Sequence, residues 1–270
     1  MSNITQSLYN IRLLDELAEK KTVIHKIHPL AKVMTTGVYL IVTVSFGRYE
    51  LSGLIPLIFY PIIVIALADI PVITIAKRVL LVSPLIIGIG VFNPIINQDP
   101  MIIMPWIVIS SGWVSFLSLL VKGILTALAA LLLISTTGIT KIALALRMIW
   151  VPKIFILQFL LTYRYISVLI EEVGRILRAY SLRSPREKGI RFSNWGSLTG
   201  QLLIRTLDRA QRVYYSMCCR GFKGEYNVGR ELGIQFKDFL YFSGWSVYFL
   251  IIRYFNISEL IGSLMIGVGK

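Results

Sequence analysis

Two arginines carry the chemistry most easily read from this chain: Arg183 in the run Leu182-Arg183-Ser184, and Arg220 in Cys219-Arg220-Gly221. A guanidinium is always charged, and its planar fork of N–H donors fits a carboxylate through two parallel hydrogen bonds. Each arginine follows a long amphipathic stretch and sits where a helix should end. Ser184 precedes Pro185, which cannot continue a helix, and Gly221 is the residue favoured just past a helix C-terminus. Two roles fit that placement. A cation at a helix C-terminus gains about 0.3–1 kcal/mol from the macrodipole. Exposed at a helix tip, the same group is equally suited to pairing with carboxylates of another protein.

Other candidates are weaker. His25 and His28 have the i,i+3 spacing of a metal pair, but two imidazoles with no thiol or carboxylate make a poor site, and their place before Pro29 and Lys32 favours an interfacial helix start. Asp69 and Asp99 flank apolar segments instead of occupying their middles, so neither suggests a proton relay. Asn93 and Asn97 near Pro94 suit a bent helix end. No nucleophile, base and orienting group can be assembled, so no catalytic or metal residue is assigned. Cys218 and Cys219 are adjacent and have no other cysteine to pair with; they read as small buried side chains on a reduced segment. There is no Gly-x-x-x-x-Gly-Lys-Ser/Thr phosphate loop.

Composition says what must position the two arginines. Hydrophobic residues make up 56% of the chain and the mean hydropathy is +0.72. Residues 33–46, 51–68, 79–98, 100–121 and 123–140 each lack charge. About 20 apolar residues in a helix cross a hydrocarbon core, so the chain reads as an all-α polytopic membrane protein. Its N-terminal 30 residues are too charged for a secretory signal. The net charge of +14 alone could suit nucleic acid or anionic lipid, but its distribution speaks for topology. Lys20, Lys21, Lys26 and Lys32 precede the first span, Lys77 and Arg78 follow the second, and Lys141, Arg147 and Lys153 follow the fourth. Loops rich in Lys and Arg face the cytoplasm. The N-terminus is therefore expected inside, with spans near 31–47, 51–69, 79–97 and 114–137, and with Trp106 and Trp113 at the outer interface.

After four crossings the chain is back inside. The apolar run Ile154–Ile170 is then expected not to cross but to begin a long helix at the inner leaflet. Arg164, Glu171, Arg175 and Arg178 share one of its faces, and Leu169, Val173, Ile176 and Tyr180 the other. A second amphipathic helix over 193–221 carries a stripe of Leu203, Leu207, Ala210, Tyr214 and Met217, opposite Arg205, Asp208, Arg209 and Arg212. Helix-on-helix packing accounts for both stripes, and Glu171–Arg175 and Asp208–Arg212 read as i,i+4 pairs. Phe239–Ile252 supplies a fifth crossing, and a return through Ile257–Val268 would be very short. The chain divides into 1–30, a cytoplasmic N-terminal segment; 31–137, a four-span region; 138–235, a pair of long crossed amphipathic helices; and 236–270, a last span and tail.

The run from Arg209 through Arg220-Gly221-Phe222-Lys223-Gly224 resembles the signature of the transmembrane (T) component of energy-coupling factor (ECF) transporters, in its CbiQ-like, cobalt-type branch. Ile27-His28-Pro29-Leu30-Ala31-Lys32 is similar to that family's entry motif, and Leu161-Thr162-Tyr163-Arg164-Tyr165 with Glu171-Glu172 to the approach to its first arginine motif. The family usually has Asp at the position of His28 and a small residue at that of Leu182. The resemblance implies a non-catalytic coupling subunit of a prokaryotic cell-membrane importer. Arg183 and Arg220, flanked by Leu182, Ser184, Cys219 and Gly221, would insert into two ABC-type ATPase subunits that bind ATP and Mg and hydrolyse the ATP. A separate small S component would bind the substrate, cobalt or nickel, with a vitamin as the alternative. The resemblance implies no cofactor on this chain and no nucleic-acid partner. A stand-alone secondary transporter would need ionisable residues at mid-membrane and usually inverted repeats, and neither is evident.

Overall fold

The computed structural model describes residues 17–20, 22–96, 100–104, 107–184, 190–224 and 233–255. The chain forms two compact units, one of residues 14–142 and 232–270 and the other built around residues 143–231. Several expectations lie outside the described residues: the roles of Lys21, Asn97, Asp99, Trp106 and Pro185, most of the N-terminal segment, and the return through 257–268.

The first unit is helical, with one short antiparallel ribbon. In chain order it contains α1 (Pro29–Ser45), α2 (Phe59–Ala68, entered through 3-10 turns at Ser52–Leu54 and Pro56–Ile58), α3 (Val72–Gly90), α4 (Phe92–Ile96), β1 (Pro100–Met104), β2 (Ile107–Ser110), α5 (Ser111–Thr137), the first residues of α6 (Ile139–Met148), whose remainder belongs to the second unit, and α9 (Phe236–Phe255). The ribbon pairs Pro100 with Ser110 and Ile102 with Val108, where the sequence suggested only an interfacial stretch. Pro29 occupies the first turn of α1, where its missing N–H costs nothing. The His28 ring caps that helix, its Nδ1 accepting from the Leu30 N–H at 3.1 Å. An Asp at the same position would do the same through a carboxylate oxygen. The departure from the family's usual Asp at 28 thus keeps the local function.

Polar clasps fix how the helices run. The Lys32 ammonium donates to the Thr136 carbonyl at the end of α5, and Lys122 in α5 donates to the Phe46 carbonyl past the end of α1. Helices α1 and α5 are therefore antiparallel. The His28 N–H donates to Asp238 at the start of α9, while Arg253 near its end meets Glu50 beyond α1. Helices α1 and α9 therefore run the same way, as first and fifth members of an alternating series would. Lys20 donates to the Asp69 carbonyl after α2, placing the α2–α3 turn at the end where α1 begins. The backbone N–H of Gly47, followed by the Arg253 guanidinium, holds the Glu50 carboxyl below its ordinary range.

One expectation changes here. Lys32, counted among the basic residues ahead of the first span, is buried at 3% exposure within α1. Lys77 and Arg78 likewise belong to α3, whose first residue is Val72, and do not lie in a loop before it.

The core explains the order. Tyr39 packs on Tyr60 and Phe249 at 4.8 and 5.2 Å between ring centroids, joining α1, α2 and α9. Against α5, α3 approaches closely through glycine. A Cβ on Gly123 would sit 2.8 Å from Ile86, and one on Gly90 would sit 2.7 Å from Phe116. Small residues at such crossings let membrane helices pack by backbone proximity.

Among the described residues three helical stretches are long and apolar enough to cross a bilayer: Val72–Ile96, Ser111–Thr137 and Lys153–Arg183. Pro29–Ser45 and Ser52–Ala68 are apolar but shorter. Exposed Ile41, Val44, Leu80, Leu81, Leu85 and Ile89 present the apolar surface that lipid, not water, accommodates. This is a membrane protein. Lys153–Arg183 is long and apolar enough although charge parity argued against its crossing, because its first half carries only Lys153 and Arg164 and most of its charge lies in the second half.

Candidate functional site

The second unit is dominated by α7 (Lys153–Arg183, 31 residues) and α8 (Phe192–Cys219, 28 residues). Pro152 precedes α7 in an extended conformation, as a residue that starts helices well and cannot extend one backwards. Its faces are those the spacing predicts. Arg164, Glu171, Arg175 and Arg178 are exposed, Ile176 is buried, and Leu169, Val173 and Tyr180 are half-buried.

Two contacts fold the helices into an antiparallel hairpin. Near its closed end, the Asn194 amide donates to the Tyr180 hydroxyl at 3.0 Å. Further along, Glu172 accepts from Arg205 of α8 at 2.7 Å and from Arg175 of its own helix. Arg175 thus pairs with Glu172 and not with Glu171 as the i,i+4 rule suggested. Glu172 keeps a side-chain exposure of only 14%, so both guanidiniums close over it. Beyond that clasp the helices bound a groove of about 790 Å³, with Leu161, Tyr165 and Leu169 on one wall and Val213, Tyr214 and Met217 on the other.

The stripe on α8 is not consumed by packing. No residue of this helix is buried, and Leu203, Leu207 and Tyr214 are all more than half exposed. Helix-on-helix packing therefore fails to explain most of it: of the stripe only Met217 is half-buried, and the other half-buried positions are Asn194, Leu198, Gly200, Leu202, Thr206 and Val213. Cys218 and Cys219 are exposed free thiols, against the expectation that they are buried. They lie on the last turn of a helix that buries nothing.

Both motif arginines stand at helix ends. Arg183 is the last residue of α7, whose final turn closes with the Ser184 N–H donating to the Tyr180 carbonyl at 3.0 Å. Leu182 beside it is 82% exposed. Arg220 caps α8. There Phe222 N–H donates to Met217 O and Gly221 N–H to Cys218 O, the paired bonds of a Schellman motif, with Gly221 at φ +80°. Only glycine adopts that backbone without strain, so Gly221 sets the direction in which Arg220 leaves the helix. Met217 and Phe222, the apolar partners such a cap commonly brings together, both line the groove. Both guanidiniums are exposed. Asn194 and Arg220 are separated by 26 steps of helix, so the two arginines are held about 40 Å apart along α8.

The histidine pair is spent on structure. His25 Nε2 donates to the Leu17 carbonyl at 2.9 Å and Nδ1 meets the Thr22 hydroxyl at 2.7 Å. Burial holds this imidazole below its ordinary pKa. His28 uses Nδ1 for its cap. Among the described residues no group of three His, Cys, Asp or Glu side chains is arranged to hold a metal.

The pattern that defines the cobalt transport protein family CbiQ matches residues 20–229, well over half of the chain. The chain belongs to that family. An uncharacterized protein of Methanocaldococcus jannaschii is 28% identical over 190 residues, 66% of this chain and 65% of that relative's length. Family membership groups the chain with cobalt transport proteins. Sequence reading missed Glu172 as the hairpin clasp and Asp238 as a buried junction. The latter had a signal: it stands three residues after Gln235, the position from which a side chain reaches back to a helix's first N–H.

Proposed function

We propose that this chain is the T component of an ECF-type importer, the membrane subunit that couples two ATPase subunits to a separate substrate-binding S component. The observation that carries this is the placement of Arg183 and Arg220, exposed at the C-terminal ends of α7 and α8 and about 40 Å apart. One protein groove cannot take both, whereas two ATPase subunits can take one each. Helix-dipole complementation would explain a cation at either end but not exposed, motif-flanked guanidiniums at both. ATP and Mg belong to the partners. The direct test is purification from a membrane in which the neighbouring genes are expressed: two ATPase subunits and an S component co-elute. Elution of the chain alone would defeat the proposal.

Cobalt is the substrate the family's description favours, with nickel as the second candidate, held by the S component and not by this chain. Calorimetry on the isolated chain should detect no stoichiometric micromolar binding of either ion. Such binding would return His25 and His28 to the account and remove the need for an S component.

In this reading the N-terminus and the α7–α8 hairpin are cytoplasmic, in the cell membrane of a prokaryote. Because Cys218 and Cys219 are exposed, both are first replaced by Ser or Ala. A cysteine at position 190 is then labelled only from the cytoplasmic side and one at position 103 only from outside. Labelling of both from the same side contradicts five crossings.

A further inference from the structure

The first unit carries a groove that the coupling proposal does not use. It holds about 1000 Å³ between α9, α2 and the short turn that precedes α1. Its charge is confined to one end. There Lys26 and Lys237 are both exposed, and Asp238 is also part of the lining. The Asp238 carboxylate is occupied, accepting the His28 N–H with one oxygen and the Gln235 N–H with the other, both at 2.7 Å. The groups free to donate to a ligand at this end are therefore the two ammonium groups, which outnumber the one engaged carboxylate.

Away from the lysines the groove turns apolar and aromatic, with Phe59 and Ile63 on α2 facing Trp245 and Tyr248 on α9. Their neighbours Tyr39, Tyr60 and Phe249 are buried in the core, whereas Phe59 is 56% exposed. From Lys237 to Tyr248 is eleven residues of helix, about 16 Å. That is close to half of a hydrocarbon core of about 30 Å, the depth of a single leaflet. The lysine end is also the end where α1 and α9 begin. Basic pockets between membrane helices hold anionic headgroups.

The geometry points to a site for one anionic phospholipid. Its phosphate lies between Lys26 and Lys237, and an acyl chain runs down α9 against Phe59, Ile63, Trp245 and Tyr248. A packed protein helix would leave unexplained why the positive charge sits at one end only and why the groove is one leaflet deep. The site is independent of the arginine motifs and stands or falls apart from them.

Trp245 supplies the probe. In the full chain, Trp106, Trp113, Trp150 and Trp195 are replaced by Phe, and the protein is reconstituted into phosphatidylcholine vesicles. Increasing fractions of brominated phosphatidylglycerol, or of brominated phosphatidylcholine, are then included. With each lysine near an anionic surface contributing roughly five-fold in affinity, the brominated phosphatidylglycerol should quench Trp245 at a mole fraction about ten-fold lower or better. The charge reversal K26E/K237E should bring that curve onto the phosphatidylcholine curve. If the reversed chain fails to fold, K26Q/K237Q is used and most of the preference should still vanish. Identical curves for the two headgroups, or a preference that survives loss of both lysines, would overturn the assignment. Absence of quenching by either lipid would do so too, since it would mean that protein covers Trp245.

Discussion

A chain carrying Arg183→Glu and Arg220→Glu together should insert into the membrane normally, yet lose its ATPase partners and support no uptake. Neither guanidinium contributes to the fold beyond its helix end, because both are exposed and α8 buries no residue. If they merely complemented helix dipoles, replacement would cost under about 1 kcal/mol and leave assembly intact. If each is paired with a carboxylate inside an ATPase groove, removing one partner of a desolvated pair costs about 2–5 kcal/mol. That is roughly 30-fold to several-thousand-fold weaker association per site. Arg220→Glu should be the more damaging single change. Its backbone is fixed by the Schellman cap, so its side chain is better organised before binding than that of Arg183. Arg212, exposed on the same helix, is the charge control and should be mild when reversed. Arg205 cannot serve as one, since its bond to Glu172 clasps the hairpin. Pull-down of the ATPases by tagged chains, read beside membrane yield, separates the outcomes. Full ATPase retention and transport by the double variant would refute the coupling role.

The features legible in the sequence were those with local causes. Helix ends at Arg183 and Arg220 follow from the residues around them. The exposed face of α7 follows from a period of 3.6, and the membrane class follows from uninterrupted apolar length. What sequence reading missed depends on contacts distant in the chain. Lys32 reads as one of the basic residues ahead of the first span until the Thr136 carbonyl, from a helix end far along the chain, is brought against its ammonium. Glu171 and Glu172 are both in reach of Arg175, and only Arg205 arriving from α8 selects Glu172. Free cysteine is usually buried, but Cys218 and Cys219 sit on a helix that buries no residue and are exposed. An apolar stripe, finally, says that a face will be covered, not by what. On α7 part of it meets its own chain, and on α8 it stays open.

Asp238 is where the largest stability effect should be found. Its side chain is 5% exposed. One oxygen accepts the N–H of His28, just ahead of α1, and the other the N–H of Gln235, just ahead of α9. Its charge also offsets part of the repulsion that Lys141 exerts on the buried Lys32 ammonium, so one carboxylate ties two helix starts and moderates a buried cation. Asp238→Leu leaves two N–H groups without an acceptor, at about 1–3 kcal/mol each. It also leaves Lys32, hydrogen-bonded to the Thr136 carbonyl, without the offsetting charge of Asp238. Together these losses should lower the apparent Tm in detergent by roughly 10 °C. Asp238→Asn keeps one acceptor oxygen and removes the charge, so it should fall between the wild type and Asp238→Leu. Adding Lys32→Met to Asp238→Asn removes the stranded cation and should recover part of the loss, although Lys32→Met alone destabilises. That non-additivity is the signature to look for in a double-mutant cycle. Additive losses from the two substitutions would mean that Asp238 acts only as a backbone acceptor, and that Lys32 is held by the Thr136 carbonyl alone.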